Sequence, residues 1–145
     1  MTTSTNALLY YGFTFLDEDE DEPPWNIEGD DIDSDEWLCN KLGGPKEPDV
    51  TFCHDTKPQY SEYWAAKKKF IDELPIIIDA HCYIDSPMWF ICFRRSHHSA
   101  SRGYPTQLGD SIIAFADWAK TLKEYCEKLG IEWQKPQWEL APMWS

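Results

Sequence analysis

The sequence predicts an α+β protein, an antiparallel sheet with a central hairpin covered by two or three helices. Three observations carry that expectation. The runs IIIDAHCYI and MWFICFRR flank Asp85-Ser86-Pro87 and read as a hairpin of two β-rich strands. The stripe Ile112, Phe115, Ala119, Leu122, Cys126, Leu129 steps alternately by three and four, the period of an amphipathic helix, and Gly130 supplies its stop. A second helical pattern runs from Tyr60 to Leu74, with Tyr63, Trp64, Phe70, Ile71 and Leu74 inward, Lys67–Lys69 outward, and Pro75 at its end.

The remaining elements follow in order. Ala7–Leu16 (ALLYYGFTFL) is aromatic and aliphatic and reads as a first strand. Pro23-Pro24 interrupts any regular element. Ser34 is placed to cap a short helix, DEWLCNKL, that ends at Gly43-Gly44. The link that follows is turn-rich, with a short strand expected at Val50–Cys53. Gly103-Tyr104-Pro105 marks a turn, and the C-terminal IEWQKPQWELAPMWS reads as one or two short strands broken by prolines. The whole is expected to be a single domain over residues 1–145, with an acidic loop or insertion at 17–36.

Charge is the most uneven property of the chain. Its 26 acids and 13 bases give a formal net charge of −13. Residues 17–36 hold 12 of those acids and no Lys or Arg, so the other 14 acids face all 13 bases. A field this local attracts basic protein grooves and repels nucleic acid and anionic membrane. The candidate partner surface is Asp17, Glu18, Asp19, Glu20, Asp21, Glu22, Asp30, Asp31, Asp33, Asp35 and Glu36, with Trp25 and Trp37 as anchors that dock on the domain or on a partner. In an extended chain the run Asp17–Glu22 advances ~3.3 Å per charge, against ~3.4 Å per phosphate along one DNA strand. That spacing fits a basic groove built for nucleic acid. A calcium loop is a poorer reading: Asp31-x-Asp33-x-Asp35 opens one, but Glu36 and Leu42 stand where its glycine and bidentate glutamate belong.

A basic stretch, RRSHHSASRGYP, places Arg94, Arg95, His97, His98 and Arg102 close together as an anion-binding candidate or an internal counterweight to the acidic run. If Ile84 pairs with Met88, one hairpin face carries Ile76, Ile78, Ala80, Cys82, Met88 and Phe90. The other mixes Ile77, Asp79, His81, Tyr83, Trp89, Ile91, Phe93 and Arg95, and makes a candidate small-ligand face. Asp79, His81 and His97 or His98 are the residues a small metal-assisted hydrolase would use. Cys53-His54 and His81-Cys82 are sequence neighbours, which alone does not set a thiol against a base. No zinc, phosphate-loop, dinucleotide or serine-hydrolase pattern is present, so no cofactor and no enzymatic role are expected. Trp133, Trp138 and Trp144 are expected to pack the core or anchor an interface. Five cysteines without a CxxC pair and no basic, apolar leader fit reduced thiols in a cytoplasm.

Two stretches, YIDSPMWFICFRRSHHSASRGYPTQL and LKEYCEKLGIEWQKPQWELAPMWS, resemble small proteins encoded by bacteriophages and prophages. The Ser-Arg-Gly-Tyr-Pro and Gly-Ile-Glu-Trp steps carry the resemblance, which covers the C-terminal half and leaves the acidic run outside. It implies a viral accessory protein acting in the host cytoplasm by protein contact. The expectation is therefore a phage-type interaction protein that inhibits a host factor, one of antiviral defence or one that binds nucleic acid.

Overall fold

A computed structural model describes residues 5–16, 22–26, 32–83 and 86–144. In chain order its elements are β1 (Thr5–Leu16), α1 (Ser34–Leu42), α2 (Lys57–Glu73), β2 (Ile76–Tyr83), β3 (Ser86–Phe93), β4 (His98–Ser101), α3 (Ala116–Leu129) and β5 (Gln137–Trp144). Short 3-10 turns occupy Arg94–Ser96 and Gly109–Ile112. The fold is α+β, with a five-stranded, mostly antiparallel sheet. The chain forms two compact units: the first contains β1 and everything from Pro75 onward, the second Pro24–Leu74.

In the first unit β1 is the hub. Along one edge it pairs antiparallel with β5 from Thr5 to Gly12. Along the other it pairs first with β4, over Asn6–Leu9, and then with β3, over Gly12–Leu16. β2 pairs with β3 throughout and meets β5 in parallel at Cys82–Met143 and Tyr83–Trp144. The strands β1, β3, β2 and β5 thus close a ring around a core of Leu8, Tyr10, Phe90, Cys92 and Ala141, with Ile77 and Met143 packed on it. Closure buries one face of each strand and removes most free edges. Gly12 lies where β1 passes from β5 and β4 to β3. A Cβ there would run into the Ile91 carbonyl oxygen and sit 2.7 Å from Cys92 Cα, so a side chain has no room.

Between its β4 and β3 partners, β1 has a gap. Buried Ser96 fills it: its hydroxyl accepts the Tyr11 N–H at 2.9 Å and donates to the Phe93 carbonyl at 2.6 Å. Helix α3 packs on β3, where Trp118 stacks on Phe93 at 4.9 Å and 19° and also meets Tyr11 and Trp138. Trp133 sets its edge against Phe13 at 5.9 Å. Trp133 and Trp138 therefore brace the core, as their sequence positions imply.

The second unit joins α1 and α2. Both ends of α1 follow local chemistry: Asp33 accepts the Glu36 N–H at 2.7 Å as N-cap, and Gly43 adopts a left-handed φ of 75° as C-cap. The capping residue is thus Asp33, one before the Ser34 the sequence favours. Gly44 lies against the Phe70 ring, leaving a Cβ only 2.7 Å from it.

Several expectations are corrected by non-local packing. Val50–Cys53 forms no strand, because the Tyr60 hydroxyl donates to the Val50 carbonyl at 2.8 Å and Thr56 to Thr51 at 2.8 Å, holding a loop at the start of α2. Helix α2 starts at Lys57, its Pro58 sitting in the first turn where no intrahelical N–H is needed. Trp64, expected inward, is 52% exposed, and Lys67, expected outward, is mostly covered. Helix α3 starts at Ala116, since Gly109 at φ 53° opens a separate 3-10 turn, which leaves Ile112 and Phe115 exposed. β4 forms where the sequence predicts no strand, on the edge that β1 offers. β5 runs unbroken through Pro142, because β2 reaches its far edge only beyond that residue and the missing N–H breaks no ladder there.

The hairpin register also differs. Tyr83 pairs with Ser86 and His81 with Met88, so the turn is tighter than an Ile84–Met88 pairing requires. The offset is three residues, and an odd offset exchanges the faces of one strand relative to the other. The expected mixed face is consequently not an open groove: Ile91 is fully buried and Phe93 lies under Trp118.

Candidate functional site

Two tryptophans of the acidic segment pack against each other. Trp25 and Trp37 are 6% and 4% exposed, with ring centroids 5.4 Å apart. Trp37 projects from the first turn of α1, whose Trp37 N–H bonds the Asp33 carbonyl at 3.0 Å. The two indoles are therefore spent inside the chain, the first of the two docking roles open to them. The carboxylates around them face water. Glu22, Asp33 and Asp35 are exposed and Glu36 is half-buried. Asp33, Asp35 and Glu36 stand at the N-terminal end of α1 rather than in a loop, where the helix dipole favours negative charge. The candidates Asp17, Glu18, Asp19, Glu20, Asp21, Asp30 and Asp31 lie outside the described residues.

Asp33 has a second task. Its Oδ1 lies 3.3 Å from Lys67 Nζ on α2. Burial of the Lys67 ammonium works to lower its pKa, but the hydrogen bond to Asp33 and the charges of Asp33 and Glu36 outweigh it and raise the pKa. Lys67 stays charged and ties the acidic end of α1 to α2. A hollow of about 230 Å³ beside this pair is lined by Asp35, Trp64, Lys67, Lys68, Ile71 and Asp72.

The residues of the basic stretch have several different contacts. Arg94 donates to the Ile76 carbonyl at 3.2 Å, a bond that closes the base of the hairpin. His97 stacks on Phe90 at 6° between ring planes. Burial lowers its pKa, Asp79 opposes that, and His98 and Arg94 add to it, so the ring is neutral at pH 7. The Nε2 atoms of His97 and His98 are buried with no hydrogen-bond partner among the described residues. Arg95 is exposed. Arg102 stands on the rim of a shallow apolar groove of about 630 Å³ lined chiefly by Ala7, Ala100, Leu140 and Pro142. Arg94 and Arg102 thus serve separate tasks, while Arg94, His97 and His98 lie close enough to act on one another electrostatically.

Asp79 turns back on its own strand, accepting the Ala80 N–H at 2.8 Å. Among the described residues no three of His, Cys, Asp and Glu converge to hold a metal, so Asp79, His81 and His97 or His98 do not assemble as a hydrolase centre.

His81 and Cys82, in contrast, do come together. Successive strand residues normally point to opposite faces, but Cys82 has a φ of 71°, the one positive value on a described residue other than glycine. That turn brings its Sγ to 2.9 Å from His81 Nδ1. The other ring nitrogen, Nε2, lies 3.0 Å from Thr14 Oγ1 on β1. His81 is 6% exposed, while Cys82 and Met88 are half-buried. Adjacency in sequence gave no reason to expect this, because the signal is a backbone conformation.

All five cysteines are free. Burial pushes the Cys126 thiol up to about 11 and raises Cys39 and Cys92 as well. Cys53 is exposed, and hydrogen bonding from the Thr56 hydroxyl lowers its pKa. Among the described residues no helix is long and apolar enough to cross a membrane.

No protein-family model, curated protein or solved structure matches the chain.

Proposed function

We propose that the protein is a phage-type accessory protein that binds a host protein through its acidic segment and inhibits it without catalysing a reaction. One observation carries this reading: 12 of 26 acids fall within twenty residues that hold no Lys or Arg. Buried Trp25 and Trp37 support it, since they pack together inside the second unit while Asp35 faces outward. A merely solubilising tail needs no such packing. The partner is a protein with a basic groove, and the spacing of Asp17–Glu22 favours a groove shaped for nucleic acid, such as that of a defence nuclease.

The test is capture of host cytosolic proteins at low salt on the intact chain and on a variant with Asp17–Glu22 replaced by Asn and Gln. The expected result is a basic protein retained only by the parent, released by added salt or by duplex DNA, and losing its own activity in the complex. Equal retention by both chains, or retention indifferent to salt, overturns the reading.

A further inference from the structure

We propose that His81, Cys82 and Met88 form a binding site for Cu(I). The proposal does not rest on the acidic segment.

The site arises from pairing and backbone conformation together. His81 and Met88 are directly opposed across the β2–β3 ladder, so their side chains leave the same face of the hairpin. Cys82 follows His81 and would leave by the opposite face, but its φ of 71° returns the thiol to this side. The result is a thiol sulfur 2.9 Å from an imidazole nitrogen and 3.6 Å from a thioether sulfur.

These donor types decide the metal. Thiolate and thioether are soft ligands and select Cu(I), whereas Zn²⁺ is held by Cys, His and carboxylate. Among the described residues no third His, Cys, Asp or Glu joins the pair, so the third donor is Met88. Metal bonds of about 2.0–2.3 Å in a trigonal array separate donors by about 3.5–4 Å. The Sγ–Sδ separation of 3.6 Å already meets this. The Sγ–Nδ1 separation opens by rotation of the Cys82 side chain about χ1. Cu(I) replaces the thiol proton, which passes to solvent, and the metal keeps its oxidation state.

The surroundings suit the same ion. With Nε2 held 3.0 Å from Thr14 Oγ1, it is Nδ1 that faces the two sulfurs and would ligate; metal-bound histidines are commonly fixed by such an outer hydrogen bond. The imidazole is stacked against Phe90 at 5.7 Å, on the apolar side of the site. Cys82 and Met88 are half-buried rather than sealed in the core.

The test is anaerobic titration of the whole chain with Cu(I) in competition with bicinchoninate, read from the colour of the Cu(I)–bicinchoninate complex. Variants are Cys82→Ser, Met88→Leu, Thr14→Val and, as control for the exposed thiol, Cys53→Ser. The expected result is one Cu(I) per chain, retained in Cys53→Ser, lost in Cys82→Ser, and weakened at least ~10-fold in Met88→Leu and Thr14→Val. X-ray absorption of the loaded chain should show two sulfur neighbours and one nitrogen. Met88→Leu keeps the side-chain volume, so its fold should be intact by circular dichroism. Binding that follows Cys53, survives Cys82→Ser, or is unchanged in Met88→Leu overturns the site, as does a wild-type chain that takes up no Cu(I).

Discussion

The thiol of Cys82 stands 2.9 Å from the imidazole of His81, the residue before it, on a strand whose neighbours should point apart. The positive φ of 71° that permits this is costly for any residue with a Cβ, about 1–2 kcal/mol. Cys82→Gly should relieve that strain and leave urea stability equal or higher despite the lost side chain. Cys82→Val, whose branched Cβ tolerates the region least, should be less stable than Cys82→Gly by at least about 1 kcal/mol. Equal midpoints and slopes for the two variants would remove the strain from the account.

Ser96 substitutes for a strand partner beside Tyr11. Ser96→Ala leaves the Tyr11 N–H without its acceptor on the buried side of the chain, at an expected cost of about 1–3 kcal/mol. Hydrogen exchange at Tyr11 should accelerate more than at Leu9, whose position is paired with both His98 and Leu140. Equivalent exchange at the two amides would show that water or a neighbour takes over the bond.

Trp25 and Trp37 are buried against each other within the second unit. Each truncation to alanine should cost about 3–5 kcal/mol of stability, as for other buried aromatics. Their contact, at 5.4 Å between rings, should appear in a double-mutant cycle as coupling of about 0.5–1.5 kcal/mol. Additive losses would mean that the indoles pack independently.

His97 is held neutral. Its folded pKa lies below the ordinary 6.5, first because of burial, so the unfolded chain takes up the proton more readily. Its contribution to stability is complete above pH 6.5 and is lost as pH falls through the folded value. His97→Phe, which keeps a flat ring over Phe90, should flatten the fall in Tm between pH 7.5 and 5.5. Asp79, Arg94 and His98 act on the same ring and remain in the variant, so the difference between the two profiles reports His97 itself. Superimposable profiles would contradict the assignment.

Where local chemistry acts alone, the sequence was legible. Gly43 and Gly130 end their helices in the left-handed conformation, Gly103 turns at φ 81° inside the Ser101–Tyr104 bridge, and β1, the two hairpin strands and the C-terminal ends of the three helices fall where the sequence places them. Helix starts were less legible, because a three-four spacing continues through the Gly109–Ile112 turn without distinguishing it from α3. β4 was invisible: His98-Ser99-Ala100-Ser101 has no apolar alternation and becomes a strand only because β1 offers an edge.

Composition and local patterning were enough to set the concentration of negative charge at 17–36, the α+β class and the residue types available for chemistry. Only the tertiary structure decided where the tryptophans point, which bases stand apart, and that His81, Cys82 and Met88 share one face. Charge and periodicity are sums over local residues. Register and a single reversed φ depend on partners distant in the chain, and a slip of three residues in the hairpin exchanges every face it presents.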